Sequence, residues 1–282
     1  PDKKVTLIRK EGTVLIPCGI PYIYGTVGGP QNNVVPDGLL EKNDIELIKE
    51  EATKVDRENK IVTLKNGDQI SYDKLVFATG SIPMVPKIPG VDKKNIFPVK
   101  KEFDYLGSVL DTMKGVKNLV IMGGGFIGVE FADECRKGRD VSVTLVEALP
   151  HCLQMAMDDE YCVEAEEKLT EAGVKILTNA RVESLEGKDT VTGVKLADGT
   201  ILDADMVILG IGAVPNTKLA EESGIELGFN RAIKVDRYMQ SVTDPNIFAC
   251  GDCAEKPSFF TGRPVPVLLA SIATSEARIA GS

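Results

Sequence analysis

The sequence has almost no histidine, fewer basic than acidic residues and no long apolar run. His151 is the single histidine of 282 residues, so a histidine-based metal centre or a Ser-His-Asp hydrolase would depend on this one side chain. Acidic residues outnumber basic ones by 42 to 33, and the net charge of −9 argues against a nucleic-acid or anionic-membrane partner. Because no apolar run reaches membrane-spanning length and the N-terminus lacks the apolar core of a signal peptide, we predict a cytoplasmic protein.

Cysteine is also scarce for a chain that is long enough to form two domains with hydrophobic cores. Six cysteines without the spacing of a small disulfide scaffold predict free thiols in a reducing compartment. The Cys250-x-x-Cys253 pattern is open to interpretation as a redox pair or half of a zinc site. No second cysteine pair stands at zinc spacing, so we interpret these two residues as packing residues.

The best-defined motif is a glycine-rich loop that follows a predicted strand. The apolar run Val116–Met122 has the length of a buried parallel strand. Gly123, Gly125 and Gly128 follow it with G-x-G-x-x-G spacing. In such a loop the glycines make a tight turn, admit a pyrophosphate to the backbone and let the helix pack on the strand. The loop therefore predicts a dinucleotide site at a helix N-terminus.

A helix and a second strand complete this unit. We predict the helix from Val129 to about Gly138 and the strand over Val141–Val146. Glu147 ends that strand about twenty residues after the loop, where an acid accepts a hydrogen bond from a ribose 2′-hydroxyl. Since a carboxylate repels a 2′-phosphate, the sequence predicts NADH in preference to NADPH.

The same plan occurs twice along the chain. Val5–Arg9 matches Val143–Glu147 at an offset of 138 (143 minus 5), and the hairpin signal Asn66-Gly67 matches Asp198-Gly199 at an offset of 132 (198 minus 66). We interpret this as two copies of a nucleotide-binding unit, each followed by a β-meander and a strand that ends in glycine. Since the first copy has no glycine loop, we predict that roughly 25 residues precede Pro1 in the parent protein.

Cys18 lies in a constrained loop, with proline and glycine on both sides in Leu15–Tyr22. Pro21 suits the first turn of a short helix. A thiol near a helix N-terminus has its thiolate stabilised and becomes a nucleophile or redox centre. The residues alone leave open the alternative of a small apolar cysteine in the core.

Taken together, these motifs resemble the pyridine nucleotide-disulfide oxidoreductase family over essentially the whole chain. The similar branch holds coenzyme A disulfide reductases, NADH oxidases, NADH peroxidases and NAD(P)H-sulfur reductases. The resemblance implies an α/β fold of two Rossmann-like three-layer domains, with the NAD domain inserted in a truncated FAD domain. It implies FAD-binding segments at 1–98 and 221–282, an NAD(H)-binding domain at 99–220, and a homodimer in the full-length protein, whose C-terminal dimerisation domain is missing here.

The resemblance also assigns site residues. Thr243–Asp252 is similar to the second FAD motif, in which Asp252 accepts from a ribityl hydroxyl, and Ala78–Ser81 is similar to the crossover motif between the two domains. Glu130 corresponds to a residue near the nicotinamide. Pro17–Tyr22 is similar to the single-cysteine motif, whose sulfur cycles between thiolate and mixed disulfide or sulfenic acid. The resemblance thus implies Cys18 as the catalytic residue, with Gly123, Gly125, Phe126, Ile127, Gly128, Glu130, Glu147, Gly212, Ala78, Thr79, Gly80, Gly251 and Asp252 as cofactor-binding residues.

The implied function is electron transfer from NADH through FAD to Cys18, and then to a small-molecule disulfide, polysulfide, peroxide or oxygen. Two alternatives remain open: a rubredoxin- or ferredoxin-type reductase, which needs no cysteine at position 18, and a catalytically inactive NAD-binding fragment. Arg9 departs from the family pattern, because the family usually has an acid there for the FAD adenosine ribose. The resemblance therefore assigns no ribose contact at this position.

Overall fold

The structure, a computed structural model, describes residues 3–282. Its strands are β1 (Val5–Arg9), β2 (Val14–Leu15), β3 (Val34–Val35), β4 (Ile45–Lys49), β5 (Ala52–Asp56), β6 (Ile61–Leu64), β7 (Gln69–Ser71), β8 (Leu75–Phe77), β9 (Ser81–Pro83), β10 (Ile96–Pro98), β11 (Asn118–Met122), β12 (Ser142–Val146), β13 (Val174–Leu177), β14 (Val182–Glu186), β15 (Gly193–Leu196), β16 (Ile201–Asp203), β17 (Met206–Leu209), β18 (Ala213–Pro215) and β19 (Ile247–Ala249). Its α-helices are α1 (Gly38–Glu41), α2 (Phe103–Met113), α3 (Phe126–Arg136), α4 (Asp159–Glu171), α5 (Lys218–Glu222) and α6 (Ala270–Gly281). Short 3-10 turns lie at Pro17–Gly19, Pro21–Tyr24, Pro30–Asn32, Phe229–Arg231 and Gly251–Cys253.

The chain divides into two compact units. The first comprises the N-terminal stretch through Gly12 together with Asp37–Ile82 and Ala213–Ser282, and the second comprises Thr13–Pro36 and Pro83–Gly212. The predicted α/β class is confirmed. The assignment of 1–98, 99–220 and 221–282 to FAD and NAD(H) stays a prediction. Within residues 3–282, no helix combines the length and apolarity needed to cross a membrane.

A five-stranded parallel sheet forms the centre of the second unit. Its strand order is β10-β17-β11-β12-β13. Four of the five residues of β11 are buried, as expected for an apolar strand inside a parallel sheet. Met122 pairs with both Val146 and Leu209, so the carboxyl ends of β11, β12 and β17 lie side by side. The glycine-rich loop leaves the sheet at this edge.

The two helices beside the sheet test the predicted boundaries. Helix α3 begins at Phe126, three residues before the predicted start, because Gly125 is an extended N-cap directly after the turn. Helix α4 begins after Asp158, whose side chain makes no capping hydrogen bond, and Gly173 lies just beyond its end at φ +86°.

The predicted repeat is visible as two antiparallel meanders, β5-β6-β7 in the first unit and β14-β15-β16 in the second. Each has a register shift in its first strand pair. Each turns at a glycine in the left-handed region, Gly67 at φ +94° and Gly199 at φ +89°. The two copies therefore share local geometry as well as sequence pattern.

The rest of the first unit contains two parallel strand pairs, β1-β4 and β8-β19. Phe77, Ile247 and Ala249 lie in its buried core. Helix α6 begins at Ala270 and ends at Gly281. Between α5 and β19, Ile233 and Val235 make isolated β-bridges.

Segment Thr13–Pro36 packs against the second unit. Its residues Leu15, Ile23 and Tyr24 are buried in the same core as Phe131 of α3, and the Tyr24 and Phe131 rings lie 5.2 Å apart between centroids. Apolar burial of this size holds the segment on the unit. The segment carries Cys18, which therefore belongs to the same unit as the glycine-rich loop.

Candidate functional site

The glycine-rich loop turns tightly between β11 and α3. Gly123 has φ +100°, and its N–H donates to the Val146 carbonyl at 2.8 Å. A Cβ on Gly128 would lie 1.8 Å from the Gly123 carbonyl oxygen, so only glycine permits this approach of helix to strand. At Gly125 no atom lies within 4 Å of the Cβ position. The open space beside free amides at the start of α3 fits a dinucleotide pyrophosphate.

Glu147 is held at the edge of this loop by two backbone donors. Its Oε2 accepts from the N–H of Gly124, and its Oε1 accepts from the N–H of Leu149 at 2.8 Å. A carboxylate has about four lone-pair sites, so both oxygens can still accept from a hydroxyl. The carboxylate therefore stands at the loop, as the ribose prediction requires, and the ribose contact itself stays a prediction.

The segment that follows Glu147 contacts the glycine-rich loop and supports it. No sequence motif indicated this contact. The N–H of Leu153 donates to the Gly124 carbonyl at 2.8 Å, and the Cys152 sulfur lies 2.8 Å from the position of a Gly124 Cβ. Glu166 accepts from the N–H of Cys152 at 2.7 Å and lies 3.3 Å from Nδ1 of His151. The single histidine thus belongs to the segment that supports the glycine-rich loop.

The other predicted nucleotide residues lie along α3 and after β17. Phe126 is 47% exposed at the first position of α3, and Ile127 is partly buried. Glu130 is half-buried, and burial, with a smaller effect from Glu134, raises its pKa. Glu130 therefore takes up a proton more readily than an exposed glutamate. Gly212 has φ +99° and no atom within 4 Å of its Cβ position.

Cys18 differs from the other cysteines in exposure. All six cysteines lie in the described part of the chain and are free, and only Cys18 is exposed. Burial raises the pKa of Cys135 and Cys152 to about 12 and that of Cys250 to about 11. Those thiols stay protonated at neutral pH and react poorly. The exposure of Cys18 on the turn Pro17–Gly19 fits the redox role, which stays a prediction.

Glu134 ties the cysteine-bearing segment to α3, and sequence analysis did not identify it. It is 1% exposed and accepts from both the N–H and the hydroxyl of Thr26, at 2.7 and 2.9 Å, and from Lys137 Nζ at 2.7 Å. Burial opposes ionisation of this carboxyl, but the hydrogen bonds from Lys137 and Thr26 outweigh it and hold the pKa of Glu134 below its usual range. The carboxylate is therefore charged at neutral pH.

We expect Glu134→Ala to lower the free energy of unfolding by about 2–4 kcal/mol at neutral pH, because Thr26 and Lys137 lose a buried partner. Since the folded-state pKa lies below the unfolded value, this contribution is present above about pH 4 and is lost as the pH falls through the folded-state pKa. Chemical denaturation at neutral and acidic pH measures both effects. Asp133→Ala removes a 40%-exposed partner of the same lysine and should change stability by less than about 0.5 kcal/mol. A pH-independent loss in Glu134→Ala would contradict this account.

In the first unit, the structure brings together two of the predicted FAD motifs. The Ser81 hydroxyl donates to Oδ2 of Asp252 at 2.7 Å. Ala78 and Thr79 are exposed directly after β8, and Gly80, at φ +65°, has no atom within 4 Å of its Cβ position. A fixed carboxylate beside an open glycine turn fits a polyol hydroxyl of the kind that a flavin carries.

A buried ion pair supports the Gly251 turn and was not predicted. Gly251 has φ +74°, and its N–H donates to Oε2 of Glu276 at 2.7 Å. Lys256 Nζ lies 3.5 Å from the same oxygen and donates to the Ala254 carbonyl at 2.9 Å. Both charged residues are 7% exposed. Burial raises the pKa of Glu276, opposed by Lys256 and the Gly251 N–H.

The sequence profile of the pyridine nucleotide-disulphide oxidoreductases matches residues 2–274. The chain belongs to this family. The family predicted from the motifs is thereby confirmed.

The chain is similar to one curated relative and to two solved structures. An NADH oxidase of Methanocaldococcus jannaschii is 32% identical over 292 residues, covering 99% of this chain and 64% of the relative. The solved structure of an NAD-dependent persulfide reductase from A. fulgidus has a TM-score of 0.91 at 30% identity, covering 99% of this chain and 54% of that one. A ferredoxin reductase from Rhodopseudomonas palustris has a TM-score of 0.89 at 28% identity, covering 100% and 70%. The chain thus spans less than two thirds of the curated NADH oxidase.

Arg9, at the position where the family pattern has an acid, forms an ion pair within the first unit. Its Nη2 donates to both carboxylate oxygens of Asp37, at 2.7 and 2.9 Å, and Lys49 Nζ lies 3.0 Å from Asp37. Hydrogen bonds from Lys49 and Arg9 hold the pKa of Asp37 below its usual range. The guanidinium is therefore engaged within the first unit, and no ribose contact is assigned to it.

Proposed function

We propose that this protein is an FAD-dependent oxidoreductase that passes electrons from NADH through FAD to Cys18 and then to a disulfide, polysulfide, peroxide or oxygen. One unit contains both the glycine-rich loop beside Glu147 and the one exposed cysteine. This observation carries the proposal. The similarity to an NADH oxidase and to a persulfide reductase supports it.

The chain's own residues bind and orient the cofactors. The amides at the start of α3 hold the NADH pyrophosphate, and Glu147 accepts from the ribose. Asp252, Thr79, Gly80 and Gly251 hold the FAD polyol and its neighbouring groups. FAD, when bound, supplies the two-electron chemistry that side chains lack. Glu130, whose pKa is raised by burial, would lie beside the nicotinamide subsite.

Cys18 is the residue that reacts with the acceptor. With a disulfide acceptor, its thiolate attacks one acceptor sulfur, the acceptor S–S bond breaks, and the second sulfur leaves as a thiolate. Two electrons that originate from NADH then break this mixed disulfide, so that Cys18 returns to the thiolate and the bound half of the acceptor leaves as a second thiolate. With peroxide, the Cys18 thiolate attacks one oxygen, the O–O bond breaks and hydroxide leaves; the same two-electron reduction returns the sulfenic acid to the thiolate, with loss of water.

We also propose the cofactor-binding segments, the cellular compartment and the oligomeric state. FAD would be bound by 1–98 and 221–282 and NADH by 99–220. A reducing cytoplasm suits a chain whose six cysteines are all free. The proposed whole protein is a homodimer that acts on small molecules.

The similarity to a ferredoxin reductase favours a second candidate, in which the flavin delivers electrons to an iron–sulfur protein. That function needs no thiol at position 18. It therefore predicts that loss of Cys18 leaves turnover unchanged, whereas the sulfur-relay function predicts loss of turnover.

The decisive experiment is anaerobic addition of NADH to the whole protein, followed by a visible spectrum. We expect a yellow protein that NADH bleaches and that one of the four acceptors, mixed in parallel, restores. A colourless protein that binds NADH and reduces nothing would favour the NAD-binding module. Reoxidation by ferredoxin but by none of the small molecules would favour the second candidate.

Glu147→Ala is expected to weaken NADH binding by about tenfold and to lower the preference for NADH over NADPH by about a hundredfold, since it removes a ribose acceptor and a charge that repels the 2′-phosphate. Titration with both nucleotides measures the two affinities. Glu160→Ala, which removes an exposed glutamate at the start of α4, is the control and should leave both unchanged. An unaltered ratio of the NADH and NADPH affinities in Glu147→Ala would show that Glu147 does not contact the ribose.

A further inference from the structure

Asn33 is a buried polar residue that the proposed mechanism does not use. It is 4% exposed and directly follows the 3-10 turn Pro30–Asn32 in the second unit. Strands β2 and β3 pair in antiparallel fashion on either side of the segment, with Leu15 opposite Val34. This pairing brings Asn33 back to the beginning of the turn that carries Cys18.

Two hydrogen bonds join Asn33 to the residue before that turn. The N–H of Ile16 donates to the Asn33 carbonyl at 2.9 Å, and Nδ2 of Asn33 donates to the Ile16 carbonyl at 2.9 Å. Both backbone polar groups of Ile16 therefore bond to Asn33, and the Ile16 carbonyl also accepts from the N–H of Gly19 at 3.0 Å. The side-chain bond adds a constraint that the β2-β3 pairing alone does not supply.

The side-chain amide of Asn33 also lies close to Gly19, the last residue of the turn. A Cβ on Gly19 would lie 2.0 Å from Oδ1 of Asn33 and 2.8 Å from its Cγ. The amide thus fills the space that a side chain at position 19 would need. One side chain holds both neighbours of the Pro17–Cys18 pair, Ile16 by a hydrogen bond and Gly19 by close packing.

We propose that Asn33 is a positioning residue for Cys18, which fixes the Pro17–Gly19 turn and so directs the exposed thiol toward its acceptor. This inference rests on the proposed function for the use of the thiol. Its structural part, the restraint of the turn, is measurable without turnover. Small misplacements of a reacting group cost up to about a hundredfold in rate, so a turn free to reorient slows the relay.

The first test is amide hydrogen exchange in Asn33→Ala. The N–H groups of Gly19 and Ile20 donate to carbonyls within the turn, and we expect their exchange to accelerate about tenfold while β11 amides keep the wild-type rate. Asn32→Ala is the matched control, because this exposed neighbour donates to the Val27 carbonyl rather than to the cysteine turn. Unchanged exchange of Gly19 and Ile20 would overturn the proposal.

The second test is a double-mutant cycle of Asn33→Ala and Gly19→Ala in the flavin-loaded whole protein, with an aromatic disulfide, dithiodipyridine, as acceptor. Each single variant is expected to slow NADH-driven reduction of the disulfide about tenfold, after subtraction of the Cys18→Ser rate. The double variant should be no slower than Asn33→Ala, since the new methyl group then occupies the space of the lost amide. Reduction of the flavin by NADH should stay within about twofold of wild type.

Two results would contradict the positioning role: losses that multiply in the double variant, or an equal slowing of flavin reduction and disulfide turnover in Asn33→Ala. Failure of the proposed function gives a different result. In that case the wild-type protein shows no Cys18-dependent turnover, while faster exchange of Gly19 and Ile20 in Asn33→Ala still establishes the restraint of the turn.

Discussion

Cys18→Ser is expected to abolish reduction of disulfide and polysulfide acceptors while leaving reduction of the flavin by NADH at its wild-type rate. A serine hydroxyl is a far weaker nucleophile toward sulfur than a thiolate, and it forms no mixed disulfide. Because Cys18 is exposed on a short turn, the substitution should not disturb the fold. Stopped-flow measurement of flavin bleaching, followed by steady-state turnover with each acceptor, separates the two half-reactions.

Cys162→Ala serves as the control for loss of a thiol. Cys162 is buried in α4, its sulfur lies 3.6 Å from the Met157 carbonyl, and burial raises the pKa of Cys162. Its removal should reduce stability modestly and leave turnover intact. Disulfide turnover that survives in Cys18→Ser would remove Cys18 from the relay and favour the ferredoxin-type function.

Gly128→Ala should abolish useful NADH binding, with a loss of affinity of about a hundredfold. The added Cβ would lie 1.8 Å from the Gly123 carbonyl oxygen. The contact is with backbone, so α3 must move away from β11 and carry its N-terminal amides away from the pyrophosphate. Overpacking of this kind also lowers the free energy of unfolding by about 1–3 kcal/mol. Nucleotide titration and chemical denaturation measure the two losses.

Gly107→Ala is the matched control, because it adds the same methyl group to a helix of the same unit. At Gly107, inside α2, the nearest atom to a Cβ is Cγ of Pro30 at 3.9 Å. The substitution should stabilise the protein by about 0.5–1 kcal/mol through higher helix propensity and leave NADH affinity unchanged. Wild-type NADH affinity in Gly128→Ala would contradict the proposal that the dinucleotide binds at the N-terminus of α3.

The parts of the site that one continuous stretch encodes could be predicted from the sequence. Glycine spacing after an apolar strand indicated the loop, and the two hairpin glycines indicated the repeat. The start of α3 was placed three residues too late, at Val129, because the periodicity of apolar residues does not report the backbone. The structure shows a glycine N-cap at position 125 and an exposed Phe126 at the first helical position.

Contacts between segments that are distant in the chain could not be predicted. In the sequence, Asn33 looks like an ordinary polar loop residue and Glu134 like an exposed helix residue. Their roles depend on the pairing of β2 with β3 and on the contact between Glu134 and Thr26. Lys256 and Glu276 likewise become partners only when α6 meets the Gly251 turn. Each of these contacts forms only through tertiary packing, which no local pattern records.

The unequal burial of the cysteines also has a practical consequence. Five thiols are buried and one is exposed, so a maleimide fluorophore or a nitroxide would attach at a single known point without prior removal of native cysteines. Such a reporter, placed on the turn that Asn33 restrains, would record nucleotide-dependent motion of that turn in real time.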